Sequence, residues 1–435
     1  NPKIARRLKM GILSSLYTGV SGLQANGEAL GIYGDNLANA NTTGFKTSRP
    51  EFQDVIAKSL KGILGGNQIG RGTKLSNVNP VFAQGSLTQT DRATDLAISG
   101  DGFFVLDGPE GRCFTRNGVF NFDKDGRLTS LEGARVMGFQ ADENGLITNK
   151  LTEIKLDRTV IDAKRTSKVN LSMNLDIRAE KGLDFNLENP DKTSKYSNGF
   201  TVYDSAGNAH LVTVYFNKVE DGQWKWHAVV KGEEVQGGEK GKLVEAASGT
   251  LKFGTDGRLQ EAATDKNEFN FNKGALPGQK IEFNFGLTVM EGGDGLQTTQ
   301  YGTNSDLYKH TQDGYTAGTV AGLSFNDDGV LSAIFTNGET LNLAQVAIGK
   351  FENNEALFKK GQNQYRESKN SGQAFIGKPG DGGRGRITAK SIEGSTTDIA
   401  AEFINLMTAQ RSFQANARAI TTADELMAEV LNMRK

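Results

Sequence analysis

Apolar residues recur with heptad spacing at both ends of the chain. Near the start, six of eight successive positions are large and apolar, and they read Leu13, Leu16, Val20, Leu23, Gly27, Leu30, Gly34 and Leu37. Near the end, eight of ten are apolar, and they read Ile399, Phe403, Leu406, Gln410, Phe413, Ala417, Ile420, Asp424, Met427 and Leu431. This spacing is typical of coiled-coil helices. Each stretch therefore predicts a long helix with one apolar edge.

The two predicted helices are the only long helical patterns in the sequence, and a β-rich middle separates them. A single amphipathic helix cannot cover its own apolar edge, so we predict that the two helices pair. The alternative, separate packing on a globular core, is the commoner arrangement for amphipathic helices. The first helix also carries six glycines, each costing up to about 1 kcal/mol relative to alanine. We therefore expect the pair to complete its folding only on assembly with other copies.

The middle of the chain carries a repeated turn signal. The pattern Phe-x-x-Asp-Gly-x-Leu occurs at residues 122–128, 253–259 and 325–331. Asp-Gly between apolar residues predicts a tight β-hairpin. Residues from about 91 to 375 are therefore predicted to form antiparallel β-structure with few helices.

Composition changes mark the predicted domains of an α+β protein. The β-rich domains are nested between terminal α-helices paired as a coiled coil. The predicted parts are terminal helices at 10–45 and 391–435, an irregular connecting region at 46–90 and 376–390, a β-rich domain at 91–155 and 301–375, and an inserted β-rich domain at 156–300. Glycine supplies 54 of the 435 residues, which fits many tight turns.

Charge, cysteine and hydropathy exclude several classes of protein. The chain has 50 basic and 51 acidic residues and no basic stripe, so we expect no nucleic-acid partner. Cys113 is the only cysteine; it excludes an intrachain disulfide, and we expect it to be a buried apolar residue in a strand. No run of about 18 apolar residues occurs, so we expect no membrane insertion.

The beginning of the chain is basic and then apolar, as in a signal peptide. Four small residues interrupt its apolar stretch, however, and the apolar positions are spaced three and four apart. We therefore expect no cleaved signal peptide. Met10 is expected to be the natural start, and residues 1–9 are left out of the fold prediction.

No motif in the sequence indicates catalysis or a cofactor. The three histidines, His210, His227 and His310, have neither metal-ligand spacing nor a nucleophile nearby in sequence. The Asp123-x-Asp125-Gly126 run fails the calcium-loop pattern, because its glycine falls at the fourth position instead of the sixth. We therefore predict no enzyme activity, no metal and no cofactor.

Three segments resemble the bacterial flagellar rod and hook protein family. They are DNLANANTTGFK (35–46), QGSLTQTDRATDLAISGDGFFVL (84–106) and FINLMTAQRSFQANARAITTADELM (403–427). The resemblance covers roughly residues 10–155 and 310–435. In the first segment the family-motif positions are Asn36, Leu37, Ala38, Asn39, Asn41, Thr42, Gly44 and Phe45.

Within this family, the segment 314–353 and the insertion at 156–300 are most similar to hook proteins. The resemblance implies a structural subunit that self-assembles into a flexible tubular joint, which passes torque from rod to filament. The helices would line the channel, through assembly residues Leu13, Leu16, Val20, Leu23, Leu30, Leu37, Ile399, Phe403, Leu406, Phe413, Ile420, Met427 and Leu431. Implied partners are further copies of the chain, the distal rod protein, a hook cap protein, a hook-length control protein, the hook–filament junction proteins and the flagellar type III export apparatus. The implied location is the extracellular flagellum.

Two alternatives are kept open by the sequence. A distal rod protein of the same family would form a straight, rigid shaft, and the large insertion argues against it. A secreted β-rich adhesin or carbohydrate-processing enzyme would bind ligand as a monomer whose end helices are already folded.

Overall fold

A computed structural model describes residues 2–55, 58–59, 68–182 and 184–432 of the chain. The first part contains α1 (Pro2–Ala38), β1 (Ser48–Asp54), β2 (Lys58–Ser59), β3 (Gln68–Ile69), β4 (Thr73–Pro80), β5 (Leu87–Gln89), β6 (Leu96–Ser99), β7 (Phe103–Gly108), β8 (Gly111–Thr115), β9 (Phe120–Phe122), β10 (Leu128–Ser130), β11 (Arg135–Ala141) and β12 (Ile147–Glu153).

The middle part contains β13 (Val160–Ile161), β14 (Lys168–Asn174), α2 (Pro190–Thr193), β15 (Tyr196–Tyr203), β16 (Ala209–Glu220), β17 (Gln223–Lys231), β18 (Leu243–Phe253), β19 (Leu259–Asn267), β20 (Glu282–Asn284) and β21 (Asp306–Gln312). The last part contains β22 (Gly318–Phe325), β23 (Val330–Phe335), β24 (Thr340–Val346), β25 (Ile348–Lys350), β26 (Phe358–Gly361), β27 (Gln364–Arg366), β28 (Phe375–Gly377), β29 (Arg386–Ala389), β30 (Ser391–Glu393) and α3 (Ile399–Asn432). The chain is β-rich, with one long helix near each terminus, as predicted.

The chain divides into two compact units. Unit 1 comprises residues 1–157, 323–333 and 341–435, and unit 2 comprises residues 158–322 and 334–340. The chain enters and leaves unit 2 on neighbouring strands, because β13 pairs with β22 and the Val320 amide donates to the Thr159 carbonyl at 3.0 Å. The 158–322 segment of unit 2 is therefore an insertion whose entering and leaving strands are neighbours.

Unit 1 is built around an antiparallel sheet that contains the strand order β24-β11-β7-β8-β27-β26. Alternate residues of β7 and β8 face a core cluster that consists of Phe103, Val105, Phe114, Phe139, Ala347, Phe351, Leu357 and Tyr365. Cys113 is fully buried on β8, which confirms its predicted apolar role. Two further ladders, β6 with β29 and β5 with β30, join the segment after residue 84 to the segment before α3.

Unit 2 contains the five-stranded antiparallel meander β15-β16-β17-β18-β19 and a three-stranded sheet in the order β20-β14-β21. Alternation along β17 buries Trp224, Trp226 and Ala228. The Trp226 ring lies 4.9 Å, centroid to centroid, from Phe283 of β20. These aromatic side chains form the centre of the core of unit 2.

The predicted Asp-Gly turns are confirmed. Phe122 pairs with Leu128, and Phe253 pairs with Leu259, across their hairpins. In the third repeat the Asn326 amide donates to the Val330 carbonyl at 3.1 Å. The glycine of each turn has φ between +71° and +77°, a conformation that other residues adopt at a cost.

A buried histidine in unit 2 lies between two carboxylates. His210 Nε2 is 3.0 Å from Asp204 Oδ2, its Nδ1 is 3.0 Å from Glu234 Oε2, and its ring stacks on Phe271. Burial by itself raises the pKa of Asp204, but hydrogen bonds from His210, Asn208 and two backbone amides outweigh it, so the pKa lies below its ordinary value. Among the described residues, no group of three or more His, Cys, Asp or Glu side chains is arranged to hold a metal ion.

This cluster predicts an acid-sensitive unit 2. Because the folded-state pKa of Asp204 is depressed, its contribution to stability is present above the unfolded pKa of about 3.9 and is lost as pH falls through the folded value. Asp204→Asn is expected to lower stability at neutral pH and to reduce its fall below about pH 4. Urea unfolding followed by tryptophan fluorescence measures this, since both tryptophans lie in unit 2. An acid slope unchanged in the variant would contradict the assignment.

Candidate assembly site

The two terminal helices contact each other through the glycines of α1. A Cβ atom at Gly19 would lie 2.9 Å from Ile420 Cγ1, and one at Gly22 would lie 2.9 Å from the Asn416 side-chain amide. A Cβ at Gly27 would lie 3.7 Å from Phe413 Cε2. Residue numbers rise along α1 as they fall along α3, so the helices run antiparallel. The glycines allow the two backbones to approach closely.

The residues buried on α1 are offset by one position from the predicted leucine edge. Among the α1 side chains that the structure describes, the buried positions are Gly19, Gly22, Ala25, Ala29 and Asn36, and all but Ala25 directly precede a position of the predicted edge. Four leucines of the predicted edge, Leu16, Leu23, Leu30 and Leu37, are half-buried, and Leu13 and Val20 are 40% and 49% exposed. The heptad edge therefore flanks the closest helix contact, where small residues stand.

The predicted positions on α3 divide in the same way. Leu406, Phe413, Ile420 and Met427 are half-buried, whereas Ile399 and Phe403 are 55% and 51% exposed. Of the side chains described on this helix, those of Ala409 and Ala423 are buried. Leu431 is not among the residues whose side chains the structure describes. Asp398 caps the helix, accepting from the Ala400 amide at 2.9 Å.

Two glycines of α1 predict opposite effects of the same substitution. Gly22→Ala places its methyl group against Asn416, whose amide is held by the Ser412 carbonyl at 2.9 Å. We expect a loss of about 1–2 kcal/mol. Gly34→Ala enters open space, with no described atom within 4 Å, and gains about 1 kcal/mol of helix propensity. Thermal unfolding of dilute protein, followed by far-UV circular dichroism, should show shifts of opposite sign. Shifts of the same sign would contradict this helix contact.

The family-motif residues connect α1 to β1. Asn36 is buried; its side-chain amide donates to the Ser48 carbonyl at 2.8 Å, and its oxygen accepts from the Ser48 amide at 2.9 Å. Asn39 reaches back to the Asp35 carbonyl at 2.9 Å, and Thr42 donates to Asn39 at 3.1 Å. These bonds end the helix and fix the direction in which the chain leaves it.

The end of the motif packs into unit 1. Gly44 has φ of +69°, and a Cβ there would lie 2.6 Å from the Asn117 backbone nitrogen. Phe45 is buried, with the Lys359 ammonium 4.8 Å from its ring centroid. The remaining motif positions are less enclosed: Leu37 is half-buried, and Ala38 and Asn41 are exposed.

A buried ion cluster lies directly after the motif. Lys46 Nζ is 2.7 Å from Glu393 Oε1, and Arg116 Nη1 is 3.4 Å from Glu393 Oε2. The Lys46 and Glu393 side chains are fully buried, and that of Arg116 is 3% exposed. Lys46 also donates to the Ala83 carbonyl, and the Gly85 amide donates to Glu393. We call Lys46, Arg116 and Glu393 the junction cluster.

The junction cluster joins both terminal segments to the β-structure of unit 1. Lys46 follows α1 and β30 places Glu393 before α3, whereas Arg116 follows β8. Burial lowers the pKa of Lys46, and the charge and hydrogen bond of Glu393 partly offset this shift. Burial also lowers the pKa of Arg116 and raises the pKa of nearby Tyr365 to about 12. The cluster holds two buried cations around one carboxylate, so its stability depends on Glu393.

Sequence reasoning did not single out the junction cluster. Lys46 is the last residue of the quoted motif, and a lysine in an otherwise uncharged run after Asp35 was a usable signal. Arg116 and Glu393 carry no such signal, because neither lies near Lys46 in sequence. Their association depends on the pairing of β5 with β30 and of β6 with β29.

Family models match four consecutive regions of the chain. The "Flagella basal body rod protein" model matches residues 16–46, and the "Flagellar hook protein FlgE/F/G D1 domain" matches 97–172. The "Flagellar basal body protein FlaE D2 domain" matches 170–315, and the "Flagellar basal body rod FlgEFG protein C-terminal" model matches 388–433. The chain is thus of the flagellar rod and hook class.

Whole-chain relatives narrow this class. The chain is 31% identical over 422 residues to "Flagellar hook protein FlgE" of Escherichia coli, with 95% of this chain and 98% of the relative covered. It is 32% identical over 470 residues to the protein of the same name from Treponema pallidum, covering 98% and 100%. A solved structure, "Crystal structure of Helicobacter pylori flagellar hook protein FlgE2", shares the fold at 15% identity with a TM-score of 0.51, covering 70% of this chain and 100% of that chain. The chain belongs to the flagellar hook protein family.

Members of this family are structural proteins and not enzymes. No helix in the described part of the chain is long and apolar enough to cross a membrane.

Proposed function

We propose that the chain is the structural subunit of the flagellar hook, a polymer of many copies that bends while it passes torque from rod to filament. The exposure of large apolar side chains on both terminal helices carries this proposal. Tyr17 is 72% exposed, and Ile404 is 58% exposed. Side chains of this size gain free energy on burial, about 1.5–3 kcal/mol each. Neighbouring copies would supply the cover.

In the proposed tube, the segments 10–45 and 391–435 pair as a coiled coil and line the channel. The leucine edge, rather than the glycine contact, faces neighbouring copies. The β-rich segments 91–155 and 301–375, and the inserted segment 156–300, lie outside the helices. The segments 46–90 and 376–390 connect these layers. They were predicted to be irregular, but they contain the short strands β1–β5 and β29.

The proposed partners are those that a hook subunit would contact. The polymer would grow from the distal rod protein under a hook cap protein, with its length set by a hook-length control protein, and it would end at the hook–filament junction proteins. Subunits would reach the extracellular end through the flagellar type III export apparatus without a cleaved signal peptide. A straight distal rod is not favoured, because the matched hook proteins align over almost the whole chain, including the insertion.

Removing most of unit 2 tests whether the terminal helices are sufficient for polymerisation while unit 2 affects the curvature and stiffness of the tube. Because Thr159 and Val320 are hydrogen-bonded neighbours, residues 160–319 can be replaced by Asn-Gly, which closes a two-residue hairpin. Electron microscopy of the concentrated variant is expected to show tubes with altered curvature or bending stiffness. A matched variant ending after Thr397, which lacks α3, should form no tubes.

Two further outcomes decide the proposal. The terminal pair is expected to be largely helical in dilute protein and to gain further helix on polymerisation, which circular dichroism of the full chain measures. No gain of helix would contradict the completion of folding on assembly. Failure of the full chain to form tubes at any concentration would overturn the proposed function. Loss of tubes in the excised variant alone would overturn only the assignment of polymerisation to the terminal helices.

A further inference from the structure

Two exposed apolar patches lie on the terminal helices. The head patch consists of Leu13, Tyr17 and Val20 of α1, which are 40%, 72% and 49% exposed. The tail patch consists of Ile399, Phe403 and Met407 of α3, which are 55%, 51% and 37% exposed. Spacings of three and four place each set on one helix face. Each patch is therefore a continuous apolar surface about two turns long.

The two patches lie at opposite ends of the helix pair. The antiparallel contacts of Gly19 with Ile420 and of Gly22 with Asn416 place Tyr17 level with about residue 422 of α3. Phe403 is nineteen residues from that level, which corresponds to about 28 Å at 1.5 Å per residue. No side chain spans this distance. The head patch of one copy therefore cannot cover its own tail patch.

A second copy of the chain is the occupant that fits both patches. The chain belongs to the flagellar hook protein family. The choice of a second copy as the occupant rests on the proposed function, in which many copies form a polymer. No charged residue occurs between Leu13 and Gln24, so covering the head patch removes no charge from water. Unlike surfaces at opposite ends of a subunit make a heterologous contact, which can repeat along an open helical polymer, whereas two like surfaces make a closed dimer.

The helix surface near the tail patch has room for a neighbour. By the same antiparallel register, Gly31 and Gly34 of α1 are level with residues 405–408 of α3. No described atom lies within 4 Å of the Cβ position of either glycine. Glycine in a helix interior lowers helix stability, and nothing described in the same copy requires it here. Gly19 and Gly22 differ, because α3 occupies the space at both.

We propose that the head patch of one copy packs on the tail patch of the next copy, in a head-to-tail contact that repeats along the polymer. The Tyr17 ring is the central side chain of the head patch, and the Phe403 ring is the central side chain of the tail patch. The contact orders the copies along the tube, with an axial step set by the separation of about 28 Å between the patches.

Engineered disulfides test this contact, since the chain has one cysteine and it is buried. In a Cys113→Ala background, the double variant Tyr17→Cys with Phe403→Cys is polymerised and oxidised. We expect a ladder of disulfide-linked multimers on a non-reducing gel. Each single variant should stay monomeric, and an equal mixture of the two single variants should give dimers only. The matched control pairs Tyr17→Cys with Thr408→Cys, an exposed position at the tail-patch level on a different helix face, and should give no ladder.

The outcomes separate this inference from the proposed function. Dimers from either single variant would show contact between like patches and overturn the inference. Tubes without a ladder in the double variant would also overturn it, while leaving the proposed function intact. Absence of tubes from the Cys113→Ala parent and from the unmodified chain would overturn both.

Alanine substitutions test the same contact without cysteine. In the unmodified background, Tyr17→Ala and Phe403→Ala should each raise the protein concentration needed for tube formation by about tenfold or more. The double variant should raise that concentration by less than the product of the two single factors, because both substitutions remove the same contact.

Discussion

Replacement of Glu393 by glutamine is expected to lower the free energy of unfolding of unit 1 by about 3–5 kcal/mol, since it leaves two buried cations without their counter-charge. Lys46 and Arg116 both contact this carboxylate, at 2.7 Å and 3.4 Å. The glutamine retains the shape of the side chain and one acceptor oxygen. The loss therefore measures the charge and not the packing.

The charge argument also sets the pH dependence of the variant. Burial already lowers the pKa of Lys46, and Glu393 opposes that shift. Without Glu393, the folded-state pKa of Lys46 falls further below its unfolded value of about 10.4. Between these two values the unfolded state binds more protons, so stability rises with pH. The defect of Glu393→Gln should consequently shrink as pH is raised towards about 10.

Lys46→Met is the matched control. It removes one cation and leaves Glu393 paired with Arg116 and with the Gly85 amide. The expected cost is about 1–3 kcal/mol, below that of Glu393→Gln at neutral pH. Because the pKa of Lys46 is lowered in the folded protein, the unmodified chain gains stability towards about pH 10 and the variant does not. The cost of Lys46→Met should therefore grow over the range in which that of Glu393→Gln shrinks. Equal losses in the two variants would contradict the charge-balance argument.

The molecule carries a separate reporter for each unit. The Cys113 thiol is buried in unit 1 and reacts with a thiol reagent only when the surrounding structure opens. Trp224 and Trp226 are buried in unit 2. In urea, the Glu393→Gln variant should expose the thiol at lower denaturant while its tryptophan transition stays unchanged.

Gly44→Ala is expected to destabilise unit 1 by about 3 kcal/mol, combining the cost of a left-handed backbone with that of a steric clash. The φ of Gly44 is +69°, and the added methyl would lie 2.6 Å and 2.8 Å from backbone atoms of Asn117 and Arg116. The backbone atoms of Arg116 and Asn117, which directly follow β8, cannot rotate away from the methyl group as a side chain could. The motif segment must therefore shift, which also weakens the bond from the Gly44 amide to the Glu393 carbonyl.

Gly133→Ala separates the two contributions. Gly133 also lies in unit 1 and has φ of +82°, but no described atom lies within 4 Å of its Cβ position. Its substitution should cost only the backbone term of about 1–2 kcal/mol. Thiol exposure of Cys113 in urea measures both variants. If the two substitutions cost the same, the close approach of Gly44 to residues 116–117 is not energetically important.

The secondary structure could be predicted from patterns within short stretches of the sequence. The heptad spacing predicted both long helices, and the Asp-Gly repeats predicted hairpins that the structure contains at 122–128, 253–259 and 325–331. These signals work because a helix edge and a tight turn are encoded within a few residues. Burial of Cys113 followed instead from the general tendency of a free cysteine to behave as a small apolar residue.

The pattern predicted that the two terminal helices contact each other, but not which residues make the contact. A heptad marks the apolar edge of a helix, but α1 packs on α3 through Gly19 and Gly22, where the closest approach needs no side chain. The leucines instead flank that contact. The junction cluster brings together three residues that are distant in sequence. A buried lysine, arginine or glutamate has no local sequence signature that distinguishes it from a solvated one.

The bond between Lys46 and Glu393 joins residues 347 positions apart. Contacts between residues that are distant in sequence form late, because the chain loses the entropy of the closed loop before the contact can stabilise it. The meander of unit 2 faces no such delay, because it pairs each strand with the next one in sequence, and the second sheet of unit 2 is complete once β21 has been added. A polypeptide that still lacks residues 391–397 thus carries a finished unit 2 and an unfinished unit 1, and the last step of its folding waits for the arrival of its far end.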